Sequence, residues 1–276
     1  MTRTALMTAA RLAFKALSIV LLGWFAGAAG SYHDVAAPFA RSAADGRIIV
    51  LPGIHNTLFH LDGFVQMTRL GLPQFSIDMR RWGTPFFGIL NLRASDHNRE
   101  VAQSIASDIA AWRRENPDAL LYLMGYSGGG GVVSLVLEEL PDGVVIDRLL
   151  LIAPAISRGF DIERHARDHV REFVVNFASE KDLQVGLGTR WFGTIDRRYE
   201  YAAGYDGFTT EFPALAQWHW REGDRSFGHR GNHIAYLSRR WQRRFLLPAL
   251  DPDLSREQLE ALWRQRREAY DERVGD

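Results

Sequence analysis

Leu120–Leu137, LLYLMGYSGGGGVVSLVL, decides how this chain is read. Leu120 to Met124 is a short apolar run behind the turn signal Asn116-Pro117-Asp118, the pattern of a buried strand. Gly125-Tyr126-Ser127-Gly128-Gly129 follows, and then an apolar run with helical spacing, Val132, Val133, Leu135, Val136 and Leu137. Strand, sharp glycine-flanked turn and helix form the context in which G-x-S-x-G presents a serine as a nucleophile. The serine of such a turn has a strained backbone, so the residues two before and two after it must be small; Gly125 and Gly129 meet that need. The N–H of Gly128 is placed to face a developing oxyanion, with the helix N-terminus behind it. A phosphate cradle is disfavoured: there is no G-x-G-x-x-G, and no lysine follows the glycines.

Upstream, Arg47 to Leu51 is a second buried-strand pattern, ending at Pro52-Gly53-Ile54-His55-Asn56. A turn after such a strand supplies the second oxyanion donor, here the N–H of Ile54, with His55 lining the pocket or free in the loop. A helix is expected from about Leu58 to Leu70, a strand at Gln74–Met79, and a loop from Asp78 to Thr84. An amphipathic helix over Asp96–Asn116 follows, capped by Ser95 or Asp96, its Val101, Ile105, Ile109 and Trp112 at helical spacing.

Downstream, Ile146–Ala153 and Arg171–Ala178 read as strands. Between them, Asp161–His169 reads as a short solvated helix; its His165 and His169 have metal-ligand spacing but no third ligand. A carboxylate just past Ala178 suits the acid that steers a catalytic imidazole. Asp182 is the choice, Glu180 and Asp206 are the alternatives, and a plain Ser179-x-x-Asp182 turn is the competing reading. Leu183–Arg230 shows no clear period and is rich in rings, Trp191 and Phe192 among them. It is expected to be a loop or partial lid forming the substrate wall, or else a satellite core. Gly228-His229-Arg230-Gly231-Asn232-His233 then opens an apolar helix. His233, at the helix start, is preferred over His229 as general base. Tyr126, His55, Trp191 and Phe192 are the candidate substrate contacts. No metal or other cofactor is expected.

Composition bounds the rest. The chain has 276 residues, 33 Lys and Arg against 33 Asp and Glu, 46% hydrophobic content and no cysteine. One large α/β domain fits this length, and the neutral balance argues against a nucleic-acid partner. Disulfides, thiolate metal sites and a cysteine nucleophile are excluded. Residues 1–30 carry Arg3, Arg11 and Lys15 before an apolar run from Ala16 to Ala29, with Ala26-Gly27-Ala28 resembling a cleavage site. They are expected to be a signal peptide or membrane anchor, making the protein exported or membrane-attached. Residues 31–46 are then a linker, 47–250 the main domain, and 251–276 a charged amphipathic helix with Leu254, Leu259, Leu262 and Trp263 on one stripe.

The phrases at Val50–Ile54, Met124–Gly130, Leu150–Ser157, Gly186–Asp196 and Gly228–His233 resemble an uncharacterised bacterial subgroup of serine α/β-hydrolases. That resemblance implies an eight-stranded, mostly parallel sheet flanked by helices on both faces. It also implies a Ser–His–acid triad falling on Ser127, His233 and Asp182, with the Ile54 and Gly128 amides as oxyanion donors. The segment between acid and base is longer than in compact members of that superfamily. The implied activity is cleavage of a small acyl ester, carboxylesterase- or lipase-like. Peptidase, thioesterase, acyltransferase or depolymerase chemistry on the same triad, and a non-catalytic binding protein, are the alternatives.

Overall fold

The computed structural model describes residues 46–56, 61–83 and 88–274. The expected leader and nearly all of the expected linker lie outside these residues. Six strands form one sheet: β1 (Gly46–Leu51), β2 (Phe75–Met79), β3 (Leu120–Tyr126), β4 (Ile146–Ile152), β5 (Val170–Ala178) and β6 (Leu215–His219). The order is β2-β1-β3-β4-β5-β6, and every neighbouring pair is parallel. Among the described residues the sheet thus has six strands where the resemblance implies eight.

Parallel sheets are covered on both faces, so their strands read as continuous apolar runs. Ile48, Ile49, Val50 and Leu51 of β1 are all buried, as are Leu149, Leu150, Leu151 and Ile152 of β4. Alternate residues feed two cores. Ile49, Leu51, Leu121 and Leu123 pack with α3 (Ser95–Glu115), α4 (Gly128–Glu139) and α5 (Ile162–His169). Ile48, Val50, Tyr122 and Met124 pack on the other face with α1 (Asp62–Gly71), a helix over residues 239–249 (α7) and α8 (Arg256–Val274). The centre of α7, Gln242–Leu246, is wound as a π-helix. The expected helices on both faces of a parallel sheet are therefore observed.

Several local expectations change. A short helix, α2 (Gly88–Arg93), stands between β2 and α3. The N-cap of α3 is Ala94 with no side-chain cap, rather than Ser95 or Asp96. His169 does not lie on a solvated face; it is buried, with Nδ1 3.0 Å from the Val144 carbonyl oxygen. Leu183–Arg230 is not a structureless loop: it holds α6 (Leu183–Phe192), a helical turn at Ala203–Asp206, β6, and a 3₁₀ turn at Glu222–Phe227. Its rings divide. Trp218 and Phe227 join a buried aromatic core with Phe177, Trp241 and Phe245, whereas Trp191 and Tyr199 are exposed. Among the described residues no helix is long and apolar enough to cross a membrane.

The tail is hooked to the sheet by Arg148, almost wholly buried at the start of β4. Its guanidinium donates to the carbonyls of Ala249 (3.1 Å), Asp251 (2.6 Å) and Leu254 (3.0 Å), and pairs with Glu172 at 2.5 Å. Beyond it, Ser255 and Gln258 cap α8 reciprocally, with the Ser255 N–H donating to Gln258 Oε1 at 2.8 Å and the Gln258 N–H to Ser255 Oγ at 3.3 Å. Replacing Arg148 by Met leaves those carbonyls without their donor. Such losses cost on the order of 3 kcal/mol, and thermal unfolding of Arg148→Met should show a markedly lower Tm than wild type.

Candidate active site

Topology puts a crevice above the carboxyl ends of β1 and β3, where the chain turns outward in opposite directions along the sheet. Both turns that the sequence singles out open there. Ser127 follows β3 with φ 55° and ψ −122°, a region that non-glycine residues rarely occupy. The turn is clamped from both sides. The Ser127 N–H donates to the Ile152 carbonyl at 2.8 Å, and its own carbonyl accepts from Ala155 at 2.9 Å and Gly130 at 2.9 Å. A Cβ on Gly125 would stand 2.4 Å from the Gly129 carbonyl oxygen, and one on Gly129 would stand 2.3 Å from that of Pro52. Both positions therefore require glycine, as the motif predicts.

The turn after β1 lies directly against this elbow. The place a Gly53 Cβ would take is 3.4 Å from Ser127 Cβ, and that of Gly128 is 2.4 Å from Ile54 Cγ2. No hydrogen-bond acceptor among the described residues engages the Ile54 or Gly128 N–H. The turn is braced by residues that sequence reasoning missed. Trp82 Nε1 donates to the Pro52 carbonyl (2.7 Å), and Asn91 Nδ2 donates to the Ile54 carbonyl (2.8 Å). Asn98 Nδ2 then holds the Asn91 carbonyl at 2.8 Å. Asn98 lies on the buried face of α3 with Ala102, Ile105 and Ile109.

Asp182 and His233 meet. Asp182 is fully buried at the N-cap of α6; Oδ1 accepts from the Val185 N–H at 3.2 Å, and Oδ2 lies 2.6 Å from His233 Nδ1. An ionised carboxylate only accepts, so Nδ1 carries the proton and Nε2 keeps its lone pair. Asp182 is at once the cap of α6 and the partner of an imidazole. The His233 ring stacks on Tyr126, the residue before Ser127, with centroids 4.8 Å apart, and the Tyr126 hydroxyl donates to the His233 carbonyl at 2.9 Å. A further bond ties acid turn to base loop: Ser179 Oγ donates to the Gly231 carbonyl at 2.7 Å.

The remaining candidates fall out as follows. His55 is half-buried beside Gly88, and burial, then the neighbouring His233, lowers its pKa. Tyr126 is buried as the platform beneath His233. Trp191 is exposed and Phe192 half-buried at the far end of α6. Glu180 is exposed, and Asp206 pairs with Arg158. His229 faces the aromatic core rather than Asp182, in edge contact with Trp218 and Tyr236. No group of three or more potential ligands among the described residues is arranged to hold a metal ion.

No family model matches the chain, and no curated protein matches it in sequence. Solved structures similar to it include a CIB-like hydrolase from Thermoplasma acidophilum, with TM-score 0.44 and 16% identity over 76% of this chain and 88% of that one. The RedJ thioesterase of prodiginine biosynthesis in Streptomyces coelicolor gives TM-score 0.39 and 16% identity over 80% and 97%. A cutinase-like protein from Cryptococcus sp. gives TM-score 0.39 and 13% identity over 76% and 97%. Likenesses of this size do not say what this chain does.

His229 yields a pH prediction. Its Nδ1 accepts from the Gly231 N–H at 3.1 Å, and burial, with Arg267 nearby, pushes its pKa down to about 3 from 6.5. A depressed folded-state pKa contributes stability that is whole above the unfolded value and is lost as pH falls toward the folded one. Acid should therefore destabilise the protein through His229 from near pH 6.5 down toward about 3. Tm measured across that range should fall less steeply in His229→Gln than in wild type.

Proposed function

We propose that this chain is a serine hydrolase that cleaves a carboxylic ester through Ser127, His233 and Asp182. The observation that carries the reading is the bond of 2.6 Å between a buried carboxylate and the His233 imidazole, whose ring lies on the residue preceding a positive-φ serine. A structural helix cap alone needs no imidazole, and a plain turn needs no such serine backbone.

In this reading His233 Nε2 takes the Ser127 proton as Oγ attacks the ester carbonyl carbon. Asp182 keeps the imidazole in the tautomer that leaves Nε2 free, and stabilises the imidazolium. The carbonyl oxygen gains negative charge and takes the N–H groups of Ile54 and Gly128; losing one such donor typically costs about 2.7–4 kcal/mol of barrier. The tetrahedral species collapses, the alcohol leaves with the proton from His233, and the acyl group stays on Ser127. His233 then draws a proton from water as the water oxygen attacks the acyl carbon; the second tetrahedral species breaks its bond to Ser127 Oγ, which takes that proton back from His233, and the carboxylic acid leaves. His55 borders this path, and its depressed pKa keeps it neutral at pH 7, so it adds no charge against the imidazolium. The exposed apolar side chains of α6 and of Ile234, the residue after His233, suit a substrate with an acyl or alkyl group.

A fluorophosphonate probe should label the folded wild-type protein at Ser127. Ser127→Ala should abolish both labelling and ester hydrolysis while leaving the Tm within a few degrees of wild type; turnover persisting in that variant would remove Ser127 from the mechanism. Asp182→Asn should lower kcat by roughly four orders of magnitude, because the amide selects the wrong tautomer. A panel of acyl esters, amides and thioesters of graded chain length ranks the substrate class.

A further inference from the structure

Helix α6 begins at Asp182, and its outward face is apolar. Leu183, Leu187 and Trp191 recur every four residues, which puts them on one stripe. They are 58%, 39% and 63% exposed. α6 packs against α2 and against the 3₁₀ turn His233–Leu237. Those elements add two more exposed aliphatic side chains, Leu90 at 57% and Ile234 at 65%. Ile234 follows the candidate base directly. Single exposed leucines are ordinary, but five exposed large side chains on α6 and the two elements packed against it are not.

The four elements that form this side carry charges of one sign, and α1, packed on α7, adds the exposed Asp62 at its start. α2, α6, the His233–Leu237 turn and α7 contain no Asp or Glu, in a chain whose acids and bases balance at 33 each. They carry Arg93, Arg190, Arg239, Arg240, Arg243 and Arg244, all exposed. None of the six forms an ion pair among the described residues; Arg239 donates to Gln66, and Arg190 lies over the Tyr201 ring. Another copy of the chain is a poor occupant, because an isologous contact sets these arginines against themselves. Aliphatic side chains and a tryptophan beside unpaired arginines match the acyl boundary and headgroups of an anionic bilayer.

We propose that this face, formed by α6 and the turn carrying His233, docks on an anionic lipid surface, with Trp191 entering the acyl region and the α7 arginines meeting the headgroups. Docking is independent of the reaction assigned to Ser127, although it sets the site's mouth against lipid. The test uses the full chain as Ser127→Ala, mixed with vesicles of brominated phosphatidylglycerol and phosphatidylcholine, or of brominated phosphatidylcholine alone. The emission of Trp191 is taken as the difference between that protein and its Trp191→Phe counterpart, which removes the signal of any other bound segment. Trp191 should be quenched on the anionic vesicles and much less on the neutral ones. Arg239→Gln with Arg240→Gln should raise the lipid concentration for half-quenching by roughly ten-fold or more. Trp191 emission unchanged by anionic brominated lipid overturns the proposal and leaves the face to an acidic protein; quenching indifferent to the arginine pair overturns its electrostatic half. Fluorophosphonate labelling of the unmutated protein reports separately on the hydrolase reading.

Discussion

The site depends on one costly backbone conformation. Ser127 is held at positive φ, a state that costs on the order of 1–3 kcal/mol for a residue with a side chain. It persists because β3 hands the chain to α4 with the Ser127 amide and carbonyl fixed by β4 and the segment after it, at Ile152 and Ala155. The flanking glycines remove the clashes that this sharp turn creates. Strain at one residue is thus offset by the cooperative stability of a parallel sheet buried on both faces. The result is a hydroxyl raised at the sheet's carboxyl edge, beside two N–H groups that find no acceptor among the described residues.

The second constraint is economy in Asp182. One oxygen caps α6 and the other fixes His233, so the helix cannot shift without moving the imidazole. Ser179 adds a bond from the acid turn to the base loop. Asp182, His233 and the helix bearing the exposed apolar stripe are therefore tied together.

Much of this was legible in the chain, for identifiable reasons. Strands buried on both faces leave uninterrupted apolar runs, so β1, β3, β4 and β5 stand out within two residues of their ends. The elbow glycines are dictated by contacts too close for any Cβ, which makes the motif rigid in sequence. Residues 183–230 hid their structure because their residues serve different surroundings. Trp218 is core and Trp191 is surface, though both are tryptophan. Gly186 interrupts the helical pattern of α6 because the Tyr205 ring occupies the space of its Cβ. β6 is only five residues long, and Gln217 turns from the core to bond the Phe208 amide at 2.7 Å, which blurs its period. The brace of Trp82, Asn91 and Asn98 on the turn after β1 was illegible because asparagine in a helix reads as solvent-facing until its burial is known.

His229 and His233 show how environment, rather than residue type, divides roles within one short loop. Each uses Nδ1 for a structural bond, but with opposite consequences. His233 donates a hydrogen bond from Nδ1 to a carboxylate, which fixes the ring's tautomer and leaves Nε2 with the lone pair. His229 accepts a backbone N–H at Nδ1 and is walled in by Trp218, Tyr236 and Trp241, so charging it would sacrifice that bond and bury an unpaired cation. The neutral ring holds the glycine turn in shape, and the loop so shaped presents the other ring to Asp182.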